Sequence, residues 1–236
     1  MSRTSTEQRS QSLEQVAVFA GVAPAALARI EKRCGWRHYA PGEPIVDYLD
    51  ASDEVFFIVE GNARVSIYSA DGKAVTFCDL TPGDMFGEYA AIDSAPRSAG
   101  IEAHTHCLVA SMSAVAFRDV LSSEPAVTQA LLRQLVTKVR ALTTRVYEFS
   151  SLAVGNRIQA EVLRLAKLAP QAGKTAVIKG APTHAEIASR ISTHREAVTR
   201  ELNRLSRLGI IERKGSDLIV KNVARLAAMV HEVTGE

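Results

Sequence analysis

The spacing of hydrophobic residues changes from helical to strand-like near residue 35. Apolar positions in residues 13–19 and 24–34 follow a helical period, whereas residues 1–12 are predicted to be disordered. Further on, turn-forming segments recur about every ten residues between short stretches of alternating polarity: Pro41-Gly42-Glu43, Asp53-Glu54, Glu60-Gly61-Asn62, Asp71-Gly72-Lys73 and Pro82-Gly83-Asp84. With the last strands in residues 100–113, this pattern predicts an antiparallel β-sandwich or β-roll.

The longest periodic segment of the chain follows these strands. We expect it to start at Ser122-Ser123-Glu124-Pro125, with a hydroxyl cap and a proline in the first turn. Apolar residues then recur at steps of three and four from Leu131 to Ala153, close to a coiled-coil seam. A helix of roughly 40 Å is too long to be buried by one small β-roll. We therefore predict a parallel homodimer through Leu135, Val139, Leu142, Val146 and Phe149; the alternative is a monomer that packs this stripe on its own sheet.

The last third of the chain has the pattern of a winged helix-turn-helix. Ser150 to Asn156 is a candidate hinge, and a helix over residues 157–169 ends before Pro170. Two capping boxes, Thr183-x-x-Glu186 and Thr193-x-x-Glu196, each open a short helix, and residues 209–220 predict a β-hairpin as the wing, followed by a final helix. The predicted fold class is therefore α+β. It divides into a β-roll (residues 1–121), a dimerisation helix with hinge (122–156) and a winged helix-turn-helix domain (157–236).

Charge is distributed unevenly along the chain. Residues 1–156 carry 14 Lys and Arg against 18 Asp and Glu, a net −4, whereas residues 157–236 carry 14 against 8, a net +6. A basic last third predicts a nucleic-acid partner there. The sequence has neither an apolar run of membrane-helix length nor a signal-peptide core, and Cys34, Cys78 and Cys107 form neither a metal motif nor a disulfide framework. We expect a cytoplasmic protein without a membrane partner and without a bound metal.

The residue types in Phe86-Gly87-Glu88-Tyr89-Ala90 and Arg97-Ser98 suit an anion beside a sugar. Gly87 allows close backbone approach, and the helical turn that follows it would point free N–H groups at a negative charge. Arg97 supplies a bidentate fork for a phosphate, Ser98 a hydroxyl donor and Glu88 an acceptor for a ribose hydroxyl. A phosphate and a ribose held this close together indicate a small nucleotide.

The F-G-E-x-A…P-R-S-A pattern of this stretch resembles the phosphate-binding cassette of the cyclic-AMP receptor protein and fumarate-nitrate regulator family of bacterial transcription factors. The resemblance implies a cyclic-nucleotide effector, with cyclic AMP as the first choice and cyclic GMP as the alternative. It also implies base contacts from the long helix, where Leu142-Thr143 replaces the usual Thr/Ser or Thr/Asn pair and leaves the base open. The predicted nucleotide-binding residues are Val65, Phe77, Phe86, Gly87, Glu88, Tyr89, Ala90, Arg97, Ser98, Leu142, Thr143 and Thr144.

The second short helix of the last third carries the predicted DNA readout. Arg195, Glu196, Thr199 and Arg200 lie near its N-terminal end, where Arg can pair with guanine and Glu with cytosine. Their spacing matches the R-E-x-x-x-R recognition element of the same family, which implies TGTGA-like half-sites in an inverted repeat and RNA polymerase as a further partner. The predicted DNA-binding residues are Thr183, His184, Thr193, His194, Arg195, Glu196, Thr199, Arg200 and Lys214.

Two alternatives of the same fold stay open, and two other classes find no support. The cassette could be a relic in a DNA-binding protein that needs no nucleotide, or the effector could be another ligand, such as a gas bound to haem. An iron–sulfur sensor needs a group of cysteines, which this chain lacks. Spacings typical of Ser/His/Asp, metal-dependent or Walker-type catalysis do not occur either, so the sequence predicts no enzyme.

Overall fold

The computed structural model describes residues 11–68 and 74–234. The chain divides into two compact units, Met1–Val139 and Arg140–Glu236. The expected disorder of residues 1–12 lies almost entirely outside the described residues, and the Asp71-Gly72-Lys73 turn lies wholly outside them. The sequence-based boundaries at residues 121 and 156 stay a prediction.

The first unit contains two four-stranded antiparallel sheets, as the alternating pattern predicted. One sheet has the order β1-β8-β3-β6 and the other the order β2-β7-β4-β5. The strands are β1 Gly35–Tyr39, β2 Pro44–Val46, β3 Val55–Glu60, β4 Ala63–Tyr68, β5 Ala74–Leu80, β6 Met85–Phe86, β7 Gly100–Ala103 and β8 Cys107–Met112. The helices are a 3₁₀ turn at Ala17–Phe19, α1 Pro24–Glu31, α2 Glu88–Asp93, α3 Ala114–Ser123 and the start of α4, Pro125–Ser151.

Strand β3 is apolar on both faces because it is buried on both. Val55 and Phe57 pack with the helices in one core, whereas Phe56 and Ile58 face the second core between the two sheets. Leu131 from the beginning of α4 joins the first of these cores. Strand β3 therefore holds the helical layer and the sheet layer together.

The start of the long helix differs from its prediction. Pro125 does open α4, but Ser122 and Ser123 end a separate helix, α3, which the sequence pattern did not predict. Ser113 caps that helix by accepting the N–H of Ala116, and the Ser122 hydroxyl donates back to the carbonyl of Arg118 at 3.0 Å. The predicted hydroxyl cap of α4 was therefore wrong, because the two serines bond carbonyls of their own helix.

The second unit confirms the winged helix-turn-helix. It contains the end of α4, α5 Val154–Leu168, α6 His184–Arg190, α7 Arg195–Arg207 and α8 Val223–Thr234. The sheet order is β11-β12-β10-β9, and the predicted wing is β11 Ile211–Lys214 with β12 Asp217–Val220. Strands β9 Gln171–Ala172 and β10 Thr175–Ile178 were not predicted. Leu202 and Leu205 of α7 pack with Ile187 of α6 in a single core.

Two local details of this unit are informative. The capping box of Thr183 and Glu186 is present, whereas the one predicted at Thr193 and Glu196 is wrong, since His194 is the N-cap of α7 and makes no side-chain capping bond. Between α4 and α5 only residues 152 and 153 lie outside a helix, so most of the candidate hinge is helical. None of the helices in the described ranges is both long enough and apolar enough to span a bilayer.

Candidate effector and DNA-binding sites

The turn at the start of the cassette requires a glycine at residue 87. Strand β6 ends at Phe86, Gly87 adopts a left-handed φ of +83°, and α2 begins at Glu88. A Cβ at Gly87 would lie 2.6 Å from the backbone oxygen of Glu54 and 2.7 Å from Nη1 of Arg97. The turn therefore brings the backbone within contact distance of Arg97, which a side chain at this position would prevent.

Arg97 is a buried cation, and one of its nitrogen donors, Nη2, makes no hydrogen bond to the described residues. Its side chain is 3% exposed, Nε donates to the Ser52 hydroxyl at 3.0 Å, and Nη1 donates to the Gly87 carbonyl at 3.2 Å. Nη2 lies 3.7 Å from the carboxylate of Glu54 and has no hydrogen-bond partner among the residues that the structure describes. Burial lowers the pKa of Arg97, and nearby carboxylates, Glu54 first, oppose that shift. The site can thus accept an anion that pairs with Nη2.

Glu88 is already paired in this structure. Its side chain is 3% exposed and accepts a hydrogen bond of 2.6 Å from Nζ of Lys138 on α4, within the first unit. Burial alone would lower the pKa of Lys138, but the charge and hydrogen bond of Glu88 raise it. The same Nζ lies 5.4 Å from the centroid of the Tyr89 ring. Lys138 thus joins the cassette, although its sequence position off the apolar seam gave no sign of this contact.

The other predicted nucleotide residues fall in different environments. Val65 is partly buried against the core between the sheets, whereas Phe86 and Ala90 are buried. The exposed members in the first unit are Phe77, Tyr89 and Ser98. Leu142, Thr143 and Thr144 lie on the part of α4 that belongs to the second unit, and all three are exposed. Their role as base contacts stays a prediction.

Helix α4 presents an apolar stripe to the surface. Large side chains more than half exposed recur along it at Leu132, Val136, Val139, Leu142 and Val146. Phe149 is also exposed, whereas Leu135 packs partly buried against the first core. The sequence pattern missed Leu132 and Val136 because Leu131 and Leu135 share their helical spacing but face the β-roll.

The predicted readout residues share the exposed side of α7. Arg195, Glu196, Thr199 and Arg200 line one shallow depression, together with Asn203, which the sequence reading missed. The Thr199 hydroxyl donates to the Arg195 carbonyl at 3.0 Å and lies 2.7 Å from Nδ1 of His184 at the start of α6. Burial, and then the charges of Arg213 and Arg195, lower the pKa of His184. His184 thus connects the two helices of the motif.

The remaining predicted DNA contacts surround this helix pair. Thr183 uses its hydroxyl to accept the N–H of Glu186, and Thr193 is partly buried just before the N-cap of α7. His194 is exposed at that N-cap. Lys214 at the tip of the wing has a side chain that is 67% exposed, 3.9 Å from Glu212. Among the described residues, no group of three or more His, Cys, Asp or Glu could hold a metal ion.

Comparison with known proteins finds a matching domain family for each unit. The family models for a cyclic nucleotide-binding domain and for a Crp-like helix-turn-helix domain match residues 36–124 and 156–229. The CRP-like cAMP-activated global transcriptional regulator of Mycobacterium tuberculosis is 26% identical over 216 residues, which cover 91% of this chain and 96% of that protein. A CooA mutant from Carboxydothermus hydrogenoformans has a TM-score of 0.78 at 19% identity, covering 91% of this chain and 95% of its own. FixK2 from Bradyrhizobium japonicum has a TM-score of 0.71 at 19% identity, covering 83% and 96%.

The sequence relatives carry the names of transcription regulators rather than of enzymes. The structural relatives share the fold of both units. A cyclic nucleotide-binding domain followed by a Crp-like helix-turn-helix domain, joined by one long helix, shows that the chain belongs to the CRP/FNR family of transcription regulators.

Proposed function

We propose that this protein is a homodimeric transcription regulator whose binding to double-stranded DNA depends on a cyclic nucleotide, with cyclic AMP as the effector and cyclic GMP as the alternative. The observation that carries the proposal is the Arg97 guanidinium, which is buried and leaves Nη2 without a hydrogen-bond partner among the described residues. An unsatisfied buried donor costs about 1–3 kcal/mol, and more when it is charged. A cyclic phosphate would remove that cost.

The sugar of the nucleotide would lie at Glu88. A carboxylate accepts several hydrogen bonds, so a ribose hydroxyl can bind Glu88 while Lys138 keeps its own contact. Because Lys138 belongs to α4, a change in the hydrogen bonds of Glu88 acts directly on that helix. Val65 and Phe77 would contact the base, together with Thr143. The Mycobacterium tuberculosis relative is named as activated by cyclic AMP, which favours adenine.

The dimer would form through the apolar stripe of α4, whose side chains are more than half exposed in the single chain. Each copy would then present its α7 to one half of a TGTGA-like inverted repeat, with the two helices about one DNA turn apart. The net charge of +6 in residues 157–236 supports a polyanionic partner for this unit. In this role the protein would act in the cytoplasm and contact RNA polymerase on DNA.

The first test is calorimetric titration of the full chain with cyclic AMP and, separately, with cyclic GMP. We expect micromolar binding that is lost, by at least about 100-fold, in Arg97→Ala, since a charged hydrogen bond to a buried guanidinium disappears. Arg33→Ala is the matched control, because Arg33 is an exposed arginine of the same unit paired with Asp119 at 2.8 Å. Unchanged affinity in Arg97→Ala would remove the phosphate site from the proposal.

A second candidate is a regulator that binds DNA without a nucleotide. The observation that favours it is the occupied carboxylate of Glu88, which already holds Lys138 at 2.6 Å. The same titration separates the two functions. If neither nucleotide gives a heat of binding and the protein still binds the DNA palindrome tightly, the nucleotide-independent regulator would be supported.

A further inference from the structure

Five charged side chains from three helices form one cluster inside the second unit. Arg145 and Glu148 come from the end of α4, Glu161 and Arg164 from α5, and Arg190 from α6, the first helix of the helix-turn-helix motif. We refer to these five residues as the Glu161 cluster. It contains none of the predicted readout residues of α7.

Glu161 is the centre of the cluster. Its side chain is 1% exposed, and its carboxylate meets an arginine from each of the three helices. Nη2 of Arg145 lies at 3.0 Å, Nη1 of Arg164 donates to the same oxygen, and Nη1 of Arg190 lies 3.7 Å from the other oxygen. Glu148 adds a second carboxylate, both of whose oxygens accept from Nη2 of Arg164, at 2.7 and 3.0 Å.

Burial makes this arrangement hard to deform gradually. A buried charge is tolerated only when it is paired and hydrogen-bonded, so a partial separation of the helices would leave charges without partners in a poorly solvated place. Burial lowers the pKa of Arg145, and the charge of Glu161 opposes that shift. The cluster therefore favours one defined arrangement of α4, α5 and α6 over a continuum of arrangements.

The cluster also lies where the chain passes from α4 to α5 and the helix-turn-helix motif. Only two residues join α4 to α5 along the chain. Arg190 ends α6, while His184 at the start of the same helix contacts Thr199 of α7 at 2.7 Å. A continuous path of side-chain contacts thus runs from the end of α4 through Glu161 and α6 to α7.

We propose that the Glu161 cluster is the joint that fixes the end of α4 to the helix-turn-helix motif, so that a change in α4 is transmitted to the DNA-binding helix. Glu161 and Arg190 are in this view positioning residues, since both are buried and act through α6. The inference rests on the proposed function, because it concerns how nucleotide binding reaches DNA. Coupling of this kind needs an element with two discrete arrangements, and a buried ion cluster that is either intact or broken supplies one.

The decisive variant is Arg190→Gln. It removes the contact with α6 but leaves Glu161 paired with Arg145 and Arg164, so that no carboxylate is stranded and the chain should fold. The control is Arg225→Gln, which removes a charge from an exposed position on α8 of the same unit. For each protein the affinity for a palindromic DNA is measured by fluorescence anisotropy with and without cyclic AMP, and the nucleotide affinity by calorimetry. Thermal unfolding confirms the fold.

The enhancement of DNA affinity by cyclic AMP should fall roughly three- to tenfold in Arg190→Gln, while nucleotide affinity in the absence of DNA stays within about twofold of the wild type. Glu161→Gln should reduce the enhancement further. A lower DNA affinity at an unchanged enhancement would mean a purely structural role and overturn the inference, as would wild-type behaviour. A wild type whose DNA affinity ignores both nucleotides would instead overturn the proposed function and this inference with it.

Discussion

Gly87 is the residue at which the cassette tolerates no side chain. Its φ of +83° lies in the left-handed region, and an added Cβ would meet the backbone oxygen of Glu54 at 2.6 Å as well as Nη1 of Arg97. Neither neighbour can move away easily, because one is backbone and the other is buried. We expect Gly87→Ala to lower the free energy of unfolding by about 2–4 kcal/mol and to abolish nucleotide binding. Urea unfolding and calorimetry measure the two effects.

Gly42 provides the control for this substitution. It has the same φ of +83° in the same unit, but an added Cβ would meet nothing within 4 Å. Gly42→Ala therefore reports the backbone strain alone, about 1–2 kcal/mol, and should leave nucleotide binding intact. Equal losses of stability in the two variants would contradict the argument that crowding at Glu54 and Arg97 makes glycine necessary at residue 87.

His184 gives the second unit a dependence on pH. Burial and the charges of Arg213 and Arg195 lower its pKa from the usual 6.5, so the folded state disfavours the protonated imidazole. The stabilising contribution is therefore present above the unfolded pKa of 6.5 and is lost as the pH falls below it. We expect the free energy of unfolding to decline more steeply from about pH 7 to about pH 5 in the wild type than in His184→Gln, which cannot titrate. Parallel pH profiles from urea unfolding of the two proteins would remove His184 as the cause.

At the scale of elements, local spacing predicted the strands of the first unit, the long helix and the helix-turn-helix, because apolar residues recur in each with a strand-like or a helical period. It failed where one side chain has two local choices. Ser122 can cap a following helix or bond the carbonyl of Arg118 in its own, and the pattern does not decide between them. Thr193 fits a capping box by spacing, yet the N-cap of α7 is His194, because α7 begins one residue later than that capping box requires.

The sequence predicted those residues of the candidate site that are neighbours along the chain. It did not predict the residues that only the fold brings together. Gly87, Glu88 and Arg97 lie within one short stretch whose residue types suit a phosphate and a sugar. Ser52 is 45 residues from Arg97, and Lys138 is 50 residues from Glu88. Contacts over such distances depend on where the segment before β3 and the helix α4 pack, which hydrophobic periodicity alone does not specify.

The exposed stripe of α4 gives a prediction at this scale. Val139 is 61% exposed in the single chain, so a charged residue there does not disturb the interior. In a parallel dimer, however, Val139→Glu brings two carboxylates together, which costs several kcal/mol and should weaken the dimer by at least about 30-fold. Analytical ultracentrifugation over a dilution series measures the change.

Thr137→Glu is the matched control for the dimer. Residue 137 is also exposed but lies two positions from Val139, toward the opposite side of α4. It should leave the dimer dissociation constant within about threefold of the wild type. If both variants weaken the dimer equally, the interface does not follow the apolar stripe.

At the scale of the whole molecule, the two parts of the chain carry opposite net charge. Residues 1–156 have a net −4 and residues 157–236 a net +6, so a polyanion is attracted to one end of the chain and repelled by the other. The cassette differs from both parts, because its cation is a single buried arginine, Arg97, close to the carboxylates of Asp50, Asp53 and Glu54. In the proposed function, a phosphate would therefore be recognised at the cassette by local hydrogen bonds, whereas DNA would be attracted to the second unit by the field of many charges.

This difference predicts separate effects of Arg200 and Lys214 on DNA binding. Arg200 lines the depression on α7 with Glu196, whereas Lys214 projects from the wing with a side chain that is 67% exposed. We expect Arg200→Ala to lose about 1–3 kcal/mol on a TGTGA palindrome and little on a scrambled duplex, since a base contact disappears. Lys214→Ala should weaken both duplexes alike and reduce the slope of log affinity against log salt concentration by about 1, since a phosphate contact disappears.

The measurement is fluorescence anisotropy with both duplexes over a series of salt concentrations, with cyclic AMP at saturation. Arg207→Ala serves as the control, because Arg207 is an exposed arginine at the far end of the same helix. It carries the same charge as Arg200, so any loss that comes only from the field of the second unit appears in both variants. A uniform loss on both duplexes for Arg200→Ala would contradict its role in base recognition, because only a contact with a base edge discriminates between sequences of equal charge.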